Sequence, residues 1–427
     1  MGWEFRIPRF FVALAHTDCF SYIAEGSGSR KKISITRMFP DSLRTNLLFS
    51  LSFEPAIHYE TGLSLNPSDP ETLGPSPAKS LFADCGAFQY RVMEVPQFAD
   101  GTIVTAASAW KRYRGLHLGP TRHWDEILLC SPDHIVLPEH DEEEEERRVE
   151  YTLRQAKDFI ELSRGDNRVT AVGVLHGNNL NQRKKMLEEY IQMGYEYVAL
   201  GGMVPRSTKT KEVLNIVAGI SSIDDPEIAR DSILYRCRDK GLKLHILGLN
   251  SPEWWRWWIR LEIDSFDGSK LSTEGAANGW YWLPRDGSAP GREPQERPLN
   301  AIQLYTKIKV RDIDPQSWNW SNDSGLMRPI ERTGVRNLDT TCNCPACNIL
   351  SSWPCASSRC WMHKKHDGTT HASDPRMMGS TEHNMGRVGH NAHVLEWIVK
   401  EILRLNKLAE SNDEIWLRNW KRVRVEE

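Results

Sequence analysis

The sequence predicts an eightfold (β/α) barrel of the TIM type, with a cysteine-rich region before its last helix. Three observations predict it. Short runs that are apolar on both faces alternate with helical segments, which is typical of a parallel sheet with helices outside. Six such units follow two N-terminal apolar runs, so the total comes close to eight. A cysteine cluster then interrupts the pattern before a last amphipathic helix.

The composition is that of an ordinary globular protein. Of the 427 residues, 40% are hydrophobic and 26% are charged, and the formal net charge is -3. Because the chain has no overall basic character, a nucleic-acid partner would have to be bound through local clusters of Lys and Arg. The sequence shows neither a signal peptide nor an apolar stretch that could span a bilayer, so we expect a cytoplasmic protein with no membrane partner.

The predicted strands each end at a polar or glycine-rich turn. Apolar, β-rich runs occupy residues 3–14 and 46–53, and further strands are predicted at 80–83, 134–137, 169–175, 197–200, 242–247 and 261–267. Helices are predicted at 107–130, 142–163 and 180–193, and a tryptophan-rich helix begins at Ser251 and Pro252. A doubly wound open sheet is the alternative, which the absence of a dinucleotide-binding glycine fingerprint disfavours.

Three regions follow from this pattern. Residues 1–283 are predicted to form the barrel that carries the catalytic strand ends. Residues 284–390 are predicted to form an inserted loop region and the zinc-binding subdomain. Residues 391–427 are predicted to supply a C-terminal helix that closes the barrel, followed by a basic and aromatic tail.

The cysteine cluster predicts a structural zinc site. Five of the nine cysteines fall between residues 342 and 360, which indicates metal binding in a reducing compartment better than a disulfide framework. The C-x-C-x-x-C run offers three thiolates, and Zn²⁺ needs one more ligand for a closed tetrahedral site. The three thiolates are those of Cys342, Cys344 and Cys347. His390 is the first choice for the fourth ligand and His383 the second, while Cys355, Cys360 and His363 stay open.

Two carboxylates at strand ends predict catalytic chemistry. Asp84 follows the strand at 80–83, and Asp267 ends the strand at 261–267. In a parallel barrel such ends converge on the active site. A nucleophilic carboxylate with a second acid–base carboxylate is what retaining chemistry at an anomeric carbon requires. Neighbouring strand ends carry residues that suit a flat ligand: glycines that allow close backbone approach, and an aromatic side chain that could stack on a base. These are Gly86, Phe88, Gln89, Gly201 and Gly202.

At this point the motifs resemble those of the queuine/archaeosine tRNA-guanine transglycosylase superfamily. Asp84-x-Gly86-Ala87-Phe88-Gln89 is similar to its D-S-G-G-F-Q signature, and Ile263-Asp264-Ser265-Phe266-Asp267 is similar to its I-D-x-F-D nucleophile strand. Gly173 to Gly177 resembles G-I-V-Q-G, and Leu200-Gly201-Gly202 resembles I-G-G. The cysteine run and His390-Asn391 match the C-x-C-x-x-C and H-N elements. All of these occur in the order that the superfamily has.

The resemblance implies base exchange without strand scission. Asp267 would attack the sugar C1′ and displace guanine, and Asp84 would take the N9 proton of the incoming 7-deazaguanine. Residues implied in base binding are Phe88, Gln89, Glu139 or Asp141 (in place of the family's guanine-edge carboxylate), His176 (in place of its Gln), Gly201, Gly202 and Met203.

Departures from the tRNA enzymes favour a DNA substrate. The P-T-R-x-x-R segment that reads an anticodon loop is replaced by Gly268-Ser269-Lys270-Leu271-Ser272-Thr273. The Glu that pairs with an aminomethyl cation is missing, which favours the neutral 7-cyano-7-deazaguanine. Cys85, Ala87 and the tryptophan run at 254–258 resemble the DpdA branch, which acts on DNA. The alternatives are a tRNA-guanine transglycosylase and a non-catalytic nucleic-acid-binding paralogue.

DNA binding would require extrusion of the target guanine from the stack. Trp254, Trp255, Trp257 and Trp258 could stabilise the extruded state, although a core role is favoured. The best candidates for phosphate contacts are Arg30-Lys31-Lys32 and Lys421-Arg422-Arg424. Whether a DNA-opening ATPase is a further partner stays open at this point.

Overall fold

Eight parallel strands form a closed barrel. The computed structural model describes residues 7–14, 19–23, 30–34, 39–51, 79–117, 124–277, 280–284, 304–309, 319–320, 327–328, 381–412 and 419–426. The barrel strands are β1 (Arg9–Leu14), β4 (Asn46–Ser50), β5 (Ser80–Asp84), β6 (Glu126–Cys130), β7 (Val169–Leu175), β8 (Tyr197–Leu200), β10 (Lys243–Ile246) and β11 (Ser265–Gly268). Around the barrel their order is β1-β11-β10-β8-β7-β6-β5-β4. The predicted TIM-type barrel is therefore confirmed.

Four two-stranded sheets are also present among the described residues. They are β2 (Cys19–Ile23) with β3 (Arg30–Ser34), β9 (Glu227–Ile228) with β16 (Arg424–Val425), β12 (Trp280–Pro284) with β13 (Tyr305–Lys309), and β14 (Asn319–Trp320) with β15 (Met327–Arg328). Of these, β9 and β16 pair in parallel and the other three pairs are antiparallel.

Each barrel strand from β5 onward is followed in the chain by one or two helices. They are α1 (Ala106–His117), α2 (Glu142–Ser163), α3 (Leu180–Met193), α4 (Thr210–Ala218), α5 (Ile233–Asp239), α6 (Pro252–Arg260) and α7 (Thr381–Ser411). Their ends follow capping rules: Asp141 Oδ1 accepts the Glu144 N–H at the start of α2, and Gly194 adopts a left-handed conformation after α3. The acidic run at 142–146 begins α2, where carboxylates are favourable for the helix dipole.

Side-chain alternation along the strands produces two apolar layers. One set of residues fills the inside of the barrel, and the larger set packs between the strands and the helices. The inner set consists of Phe11, Leu48, Phe82, Leu128, Cys130, Val172, Val174, Tyr197 and Ala199. Because the interior is filled in this way, ligand space is confined to the ends of the barrel.

The region between residues 107 and 137 differs from its prediction. Helix α1 ends at His117, so the predicted helix 107–130 was too long. The barrel strand here is β6 at Glu126–Cys130, and residues 134–137 do not form the predicted strand. Residues 134–137 are buried, but side chains satisfy their backbone groups: Thr152 Oγ1 accepts the His134 N–H, and Arg148 donates to the Ile135 carbonyl. A short buried apolar run cannot be assigned by its pattern alone.

Two element starts also differ from their predictions. β11 begins at Ser265 and not at residue 261, because Leu261 and Ile263 still bond back to the carbonyls of Trp257 and Trp258 at the end of α6. Helix α7 begins at Thr381, so His390 lies within this helix and not before it. The predicted region boundaries at 283/284 and 390/391 consequently fall inside β12 and α7.

Helix α7 completes the ring of helices beside β11. It packs against α6 and against the 3-10 turn Asp41–Leu43, which lies between β1 and β4 in the chain. The side chain of Asn391 accepts the Trp282 N–H at 2.9 Å, which attaches β12 to α7. Among the described residues, no helix is long and apolar enough to cross a bilayer.

Candidate active site

The carboxyl ends of the barrel strands surround one cavity of about 170 Å³. Every barrel strand from β5 to β11 contributes to its lining or is followed by a loop that does. The lining residues are Asp84, Ala87, Phe88, Cys130, Asp133, Ile135, Leu137, Val174, His176, Gly201, Gly202, Met203, Val204, Pro205, Leu247, Gly248 and Asp267. Its walls are mostly apolar, and a few polar groups converge on it, which is typical of a ligand site.

Asp267 is fixed by hydrogen bonds to one of its two oxygens. Its Oδ1 accepts the backbone N–H of Gly248 at 2.8 Å and lies 3.1 Å from Nε2 of His245. Gly248 has a φ of +79°, and a Cβ there would collide with Val204. Among the described residues, none donates a hydrogen bond to Oδ2. The second oxygen of Asp267 is therefore available to a ligand.

Asp84 ends β5 and shares the cavity with Asp267. Its Oδ1 accepts the Gly86 N–H at 2.7 Å, and Ser50 donates a further hydrogen bond. Burial raises the pKa of Asp84 to about 7, and the charges of Asp267 and Asp133 add to this effect against the two hydrogen bonds. A carboxyl group with such a pKa exists in both forms near neutral pH, which suits a general acid or base.

Asp133 is a cavity residue that the sequence did not reveal. Its Oδ1 accepts the Cys85 thiol hydrogen at 2.8 Å, and its Oδ2 lies 2.6 Å from Nε2 of His176. Tyr90 donates to the Asp133 backbone carbonyl at 3.1 Å, so the loop after β6 is attached to the loop after β5. The signal that could have found it is the apolar run at 126–130, which the pattern assigns to the end of a helix, followed by a Ser-Pro-Asp turn.

Two glycines after β8 allow close packing around His176. A Cβ on Gly201 would collide with the imidazole ring, and Gly202 has a φ of +66°. Arg183 lies buried behind them and donates to the carbonyls of Gly177, Leu175 and Gly201 at 2.9 to 3.1 Å. The buried guanidinium thereby fixes the ends of β7 and β8.

The structure brings most of the predicted site residues together. Asp84, Asp267, Phe88, His176, Gly201, Gly202 and Met203 all line the cavity. Three others do not: Gln89 and Glu139 are exposed, and the Asp141 carboxylate caps α2. The family-based positions of Glu139 and Asp141 are corrected for a geometric reason. The barrel strand ends at Cys130, so the carboxylate that lines the cavity after this strand is that of Asp133, and Glu139 and Asp141 lie farther along the chain.

Among the predicted zinc ligands, His390 is the one whose side chain the structure describes. Cys342, Cys344 and Cys347 lie outside the described residues, as do Cys355, Cys360 and His363, and the side chain of His383 is not described. Nε2 of the buried His390 lies 2.7 Å from the Trp282 carbonyl. A metal-binding histidine commonly donates its other ring N–H to such a carbonyl, so this geometry fits a ligand that binds through Nδ1. Within the part of the chain that the structure describes, no group of three metal-binding side chains occurs.

The tryptophan run belongs to the core. Trp254, Trp255, Trp257 and Trp258 are each at most 3% exposed, and Trp254 stacks on Trp258 at a centroid distance of 5.1 Å. Trp255 packs edge-on against Phe266 of β11. These side chains support the strand that carries Asp267 and cannot reach a nucleic acid.

The part of the basic tail at Arg422 lies at the opposite end of the barrel from the cavity. Arg422 forms an ion pair with Glu262, which precedes the amino end of β11, and Arg424 pairs with Asp225 and Glu227. Because Arg422 is paired at the amino-terminal end, it is poorly placed to bind the phosphates of a substrate in the cavity. The side chains of Arg30, Lys31 and Lys32 in β3 are not described.

Fold and cavity together define a class of protein: a TIM-type barrel whose strand ends can perform nucleophilic and acid–base chemistry with carboxylates. Over 184 residues the chain is 29% identical to a DNA-guanine transglycosylase from Salmonella montevideo. The match covers 43% of this chain and 39% of that protein, so the chain spans about two fifths of the relative's length. No protein-family model matches the chain. The similarity confirms the resemblance to guanine transglycosylases, whereas the DpdA branch stays a prediction.

Proposed function

We propose that this protein exchanges guanine in DNA for a 7-deazaguanine, most directly 7-cyano-7-deazaguanine, through a covalent intermediate. The observation that carries the proposal is that Asp84 and Asp267, 183 positions apart in the chain (267 − 84), line the same cavity at the carboxyl ends of the strands. The similarity to the DNA-guanine transglycosylase of Salmonella supports guanine as the base and DNA as the polymer.

In the first step, Oδ2 of Asp267 attacks C1′ of the target nucleoside. The new C1′–O bond forms as the C1′–N9 bond breaks, and the electron pair of that bond goes to N9 of guanine. Protonated Asp84 supplies the hydrogen that neutralises the departing base. A pKa of about 7 leaves a substantial protonated fraction of Asp84 near neutral pH, which is the form this step requires.

In the second step, the Asp84 carboxylate takes the N9 proton of the incoming 7-deazaguanine. The nitrogen electron pair attacks C1′, and the bonding pair of the C1′–O bond returns to Asp267. Two inversions give net retention, and both carboxyl groups end in their starting protonation states. No strand is cut, because the phosphodiester bonds take no part.

Asp133 and His176 are proposed to bind the polar edge of the base. Guanine and its 7-deaza analogues present N–H donors on this edge, and a carboxylate can accept about four hydrogen bonds. Asp133 already accepts one from Cys85 and one from His176, so it retains capacity for the base. Asp133 thereby takes the role that the resemblance implied for Glu139 or Asp141.

The lining after β8 supports a neutral substituent on the incoming base. Met203, Val204 and Pro205 follow Gly202 there, and none of them carries a charge. An aminomethyl cation would lack a carboxylate from this segment, whereas a nitrile needs none. Competition between the cyano and aminomethyl bases tests this, and preferred incorporation of the aminomethyl base would contradict it.

The segment after β5 is proposed to contact DNA beside the cavity. It exposes several large apolar side chains, one of which (Phe88) lines the cavity, and such a group is unusual for a surface without a partner. These are Phe88, Val92, Met93, Val95 and Ile103, with 41% to 77% of each exposed. The Arg91 guanidinium lies 4.0 Å from the Phe88 ring centroid. Apolar side chains of this kind can fill the gap that an extruded base leaves in a duplex.

Zinc is proposed as a structural cofactor held by Cys342, Cys344, Cys347 and His390. With four protein ligands it would have no open position, so its contribution would be to folding and not to the reaction. Metal analysis of the purified protein should find one Zn²⁺ per chain, and Cys344→Ser should lose it. Protein that folds without metal would contradict this assignment.

The proposed function is tested by incubation of the protein with labelled guanine and either duplex DNA or tRNA. Label should enter DNA, and Asp267→Asn should abolish its entry. Label that enters only tRNA would contradict the substrate assignment, and label in neither polymer would support a non-catalytic paralogue. A parallel arm with pre-opened bubble DNA tests the need for a DNA-opening ATPase: exchange in the bubble but not in the duplex indicates such a partner.

A further inference from the structure

A line of polar side chains crosses the otherwise apolar interior of the barrel. It begins at Asp267 Oδ1, which lies 3.1 Å from Nε2 of His245, and continues from Nδ1 of His245 to Ser265 Oγ at 2.7 Å. Ser265 Oγ lies 2.6 Å from the Tyr197 hydroxyl, which accepts from Nη2 of Arg9 at 3.2 Å. Arg9 in turn forms an ion pair with Glu126.

This line joins the two ends of the barrel. Arg9, Glu126, Tyr197 and Ser265 are each the first residue of a barrel strand, whereas Asp267 lies at the carboxyl end beside the cavity. His245, Ser265 and Tyr197 are at most 1% exposed. The spacing of the line follows the parallel register, in which His245 is the partner of Ser265.

The chemistry of the two ends fixes the direction of every hydrogen bond between them. An ionised carboxylate only accepts and a guanidinium only donates. If His245 is neutral, Nε2 must carry the hydrogen that Asp267 accepts, so Nδ1 must accept from Ser265. The single hydroxyl hydrogen of Ser265 is then used, and Tyr197 must donate to Ser265 Oγ. Tyr197 oxygen remains free to accept from Arg9, and every hydrogen bond in the line is satisfied.

A protonated His245 would break this order. Both ring nitrogens would then donate, so the hydroxyl hydrogens of Ser265 and Tyr197 would compete for the one bond between them, and one of the two would find no acceptor in the line. A buried unsatisfied hydroxyl is costly. The pKa of His245 is lowered, chiefly by burial and also by the positive charge of Arg9, against the effect of Asp267. The charged groups facing the imidazole are thus Asp267 on β11 and Arg9 on β1.

We propose that His245 is a positioning residue for Asp267, held as the neutral Nε2–H tautomer by the Ser265–Tyr197–Arg9 line. Its role as a support for the nucleophile rests on the proposed function, whereas the tautomer does not. The Nε2–H group and the Gly248 N–H both bond Oδ1, so Oδ2 is turned toward the cavity as the attacking oxygen. A neutral donor orients the carboxylate without the strong charge pairing with which an imidazolium would reduce its nucleophilicity.

The alternative is that His245 has only a structural role in the barrel interior. Its ring stacks on Phe82 at a centroid distance of 4.2 Å and lies edge-on to Phe11, so it also fills space. The two readings differ in what happens when the hydrogen-bond line is cut without removing the ring. Ser265→Ala does this, and Ser163→Ala is the matched control, because Ser163 is also buried but bonds only the Ile160 carbonyl of its own helix.

The first measurement is independent of activity. In ¹⁵N-histidine-labelled full-length protein, the His245 signals are identified by their loss in His245→Gln. The ¹⁵N shifts should show a neutral ring with hydrogen on Nε2 throughout about pH 6 to 8, the range in which an ordinary histidine titrates. Ser265→Ala removes the hydrogen that Nδ1 accepts, so His245 should take up a second proton at a higher pH than in the wild type, and Ser163→Ala should leave its titration unchanged. A protonated His245 at neutral pH in the wild type, or an unchanged titration in Ser265→Ala, would overturn the proposal.

The second measurement follows formation of the covalent adduct in single turnovers. His245→Leu removes the N–H that Asp267 accepts and should slow adduct formation by roughly 10- to 100-fold with little change in DNA affinity, since a hydrogen bond to a charged group contributes about 1.5 to 3 kcal/mol. His245→Gln retains an N–H donor and should be faster than His245→Leu. Equal rates in these two variants would overturn the proposal. Wild-type protein with the expected tautomer but no adduct would instead contradict the proposed function alone.

Discussion

Replacement of Asp84 by asparagine should make the folded protein more stable at alkaline pH. The pKa of Asp84 is raised from 3.8 to about 7, so the folded state binds its proton more tightly than the unfolded chain does. Stability is therefore lost as the pH rises through this interval, because the ionised carboxylate is buried near Asp267 and Asp133. Asparagine has nearly the same shape and carries no charge, so the variant avoids this cost.

The magnitude follows from the two pKa values. One pH unit corresponds to about 1.4 kcal/mol, so the interval from 3.8 to about 7 corresponds to about 4 kcal/mol at pH 8. Asp84 keeps some exposure to the cavity, and solvent screens part of this cost. We therefore expect the variant to gain about 2 to 4 kcal/mol at pH 8, and less than about half of that at pH 5.

Urea unfolding of both proteins at pH 5 and pH 8 measures this difference. Comparison at each pH removes the contribution of other titrating groups. Asp100→Asn is the control with the opposite sign, since hydrogen bonds from Thr102 and Arg112 lower the pKa of Asp100 to about 2. That variant should lose stability at pH 8. An Asp84→Asn protein that is no more stable than the wild type at pH 8 would refute the electrostatic account of the cavity.

Three further results are expected. Adduct formation in single turnovers should slow as the pH rises above about 7, because departure of guanine needs the Asp84 proton; a rate that keeps rising to pH 9 would contradict this. Gly248→Ala should reduce adduct formation by at least about 10-fold with unchanged DNA affinity, because its methyl group would collide with Val204 and displace the N–H from Asp267; full activity would contradict the geometry. Arg91→Ala should weaken DNA binding in salt-dependent anisotropy titrations, whereas Arg422→Ala, paired at the far end of the barrel, should not; equal losses would contradict the proposed DNA-contacting segment.

The barrel and the shared position of Asp84 and Asp267 could be predicted because buried parallel strands have a recognisable sequence pattern. Runs such as 169–175 and 197–200 are apolar on both faces and end at Gly or polar residues, so strand type and direction follow from the pattern. Since all strands point the same way, Asp84 and Asp267 had to lie at the same end. The core role favoured for the tryptophans also follows from sequence, because they share the wide apolar face of an amphipathic helix and such a face packs against the core.

Asp133 and His245 could not be predicted because their importance depends on contacts distant in the chain. Residues 134–137 have the composition of a strand, yet Thr152 and Arg148 bind their backbone groups, which only the packing of α2 reveals. His245 occupies an ordinary interior strand position. Its contact with Asp267 arises from the register of β10 with β11, in which His245 is paired with Ser265. A shift of this register by one residue would turn the side chain to the other face of the sheet, and sequence alone does not give the register.

The central claim is that the Asp267 carboxylate forms a bond to a deoxyribose C1′ in this cavity. Protein incubated with guanine-containing duplex DNA, denatured and digested, can be searched by mass spectrometry for a peptide that carries a nucleotide. The account predicts the modification on Asp267, and its loss in Asp267→Asn. A modification on another residue, or an adduct that survives in Asp267→Asn, would contradict it.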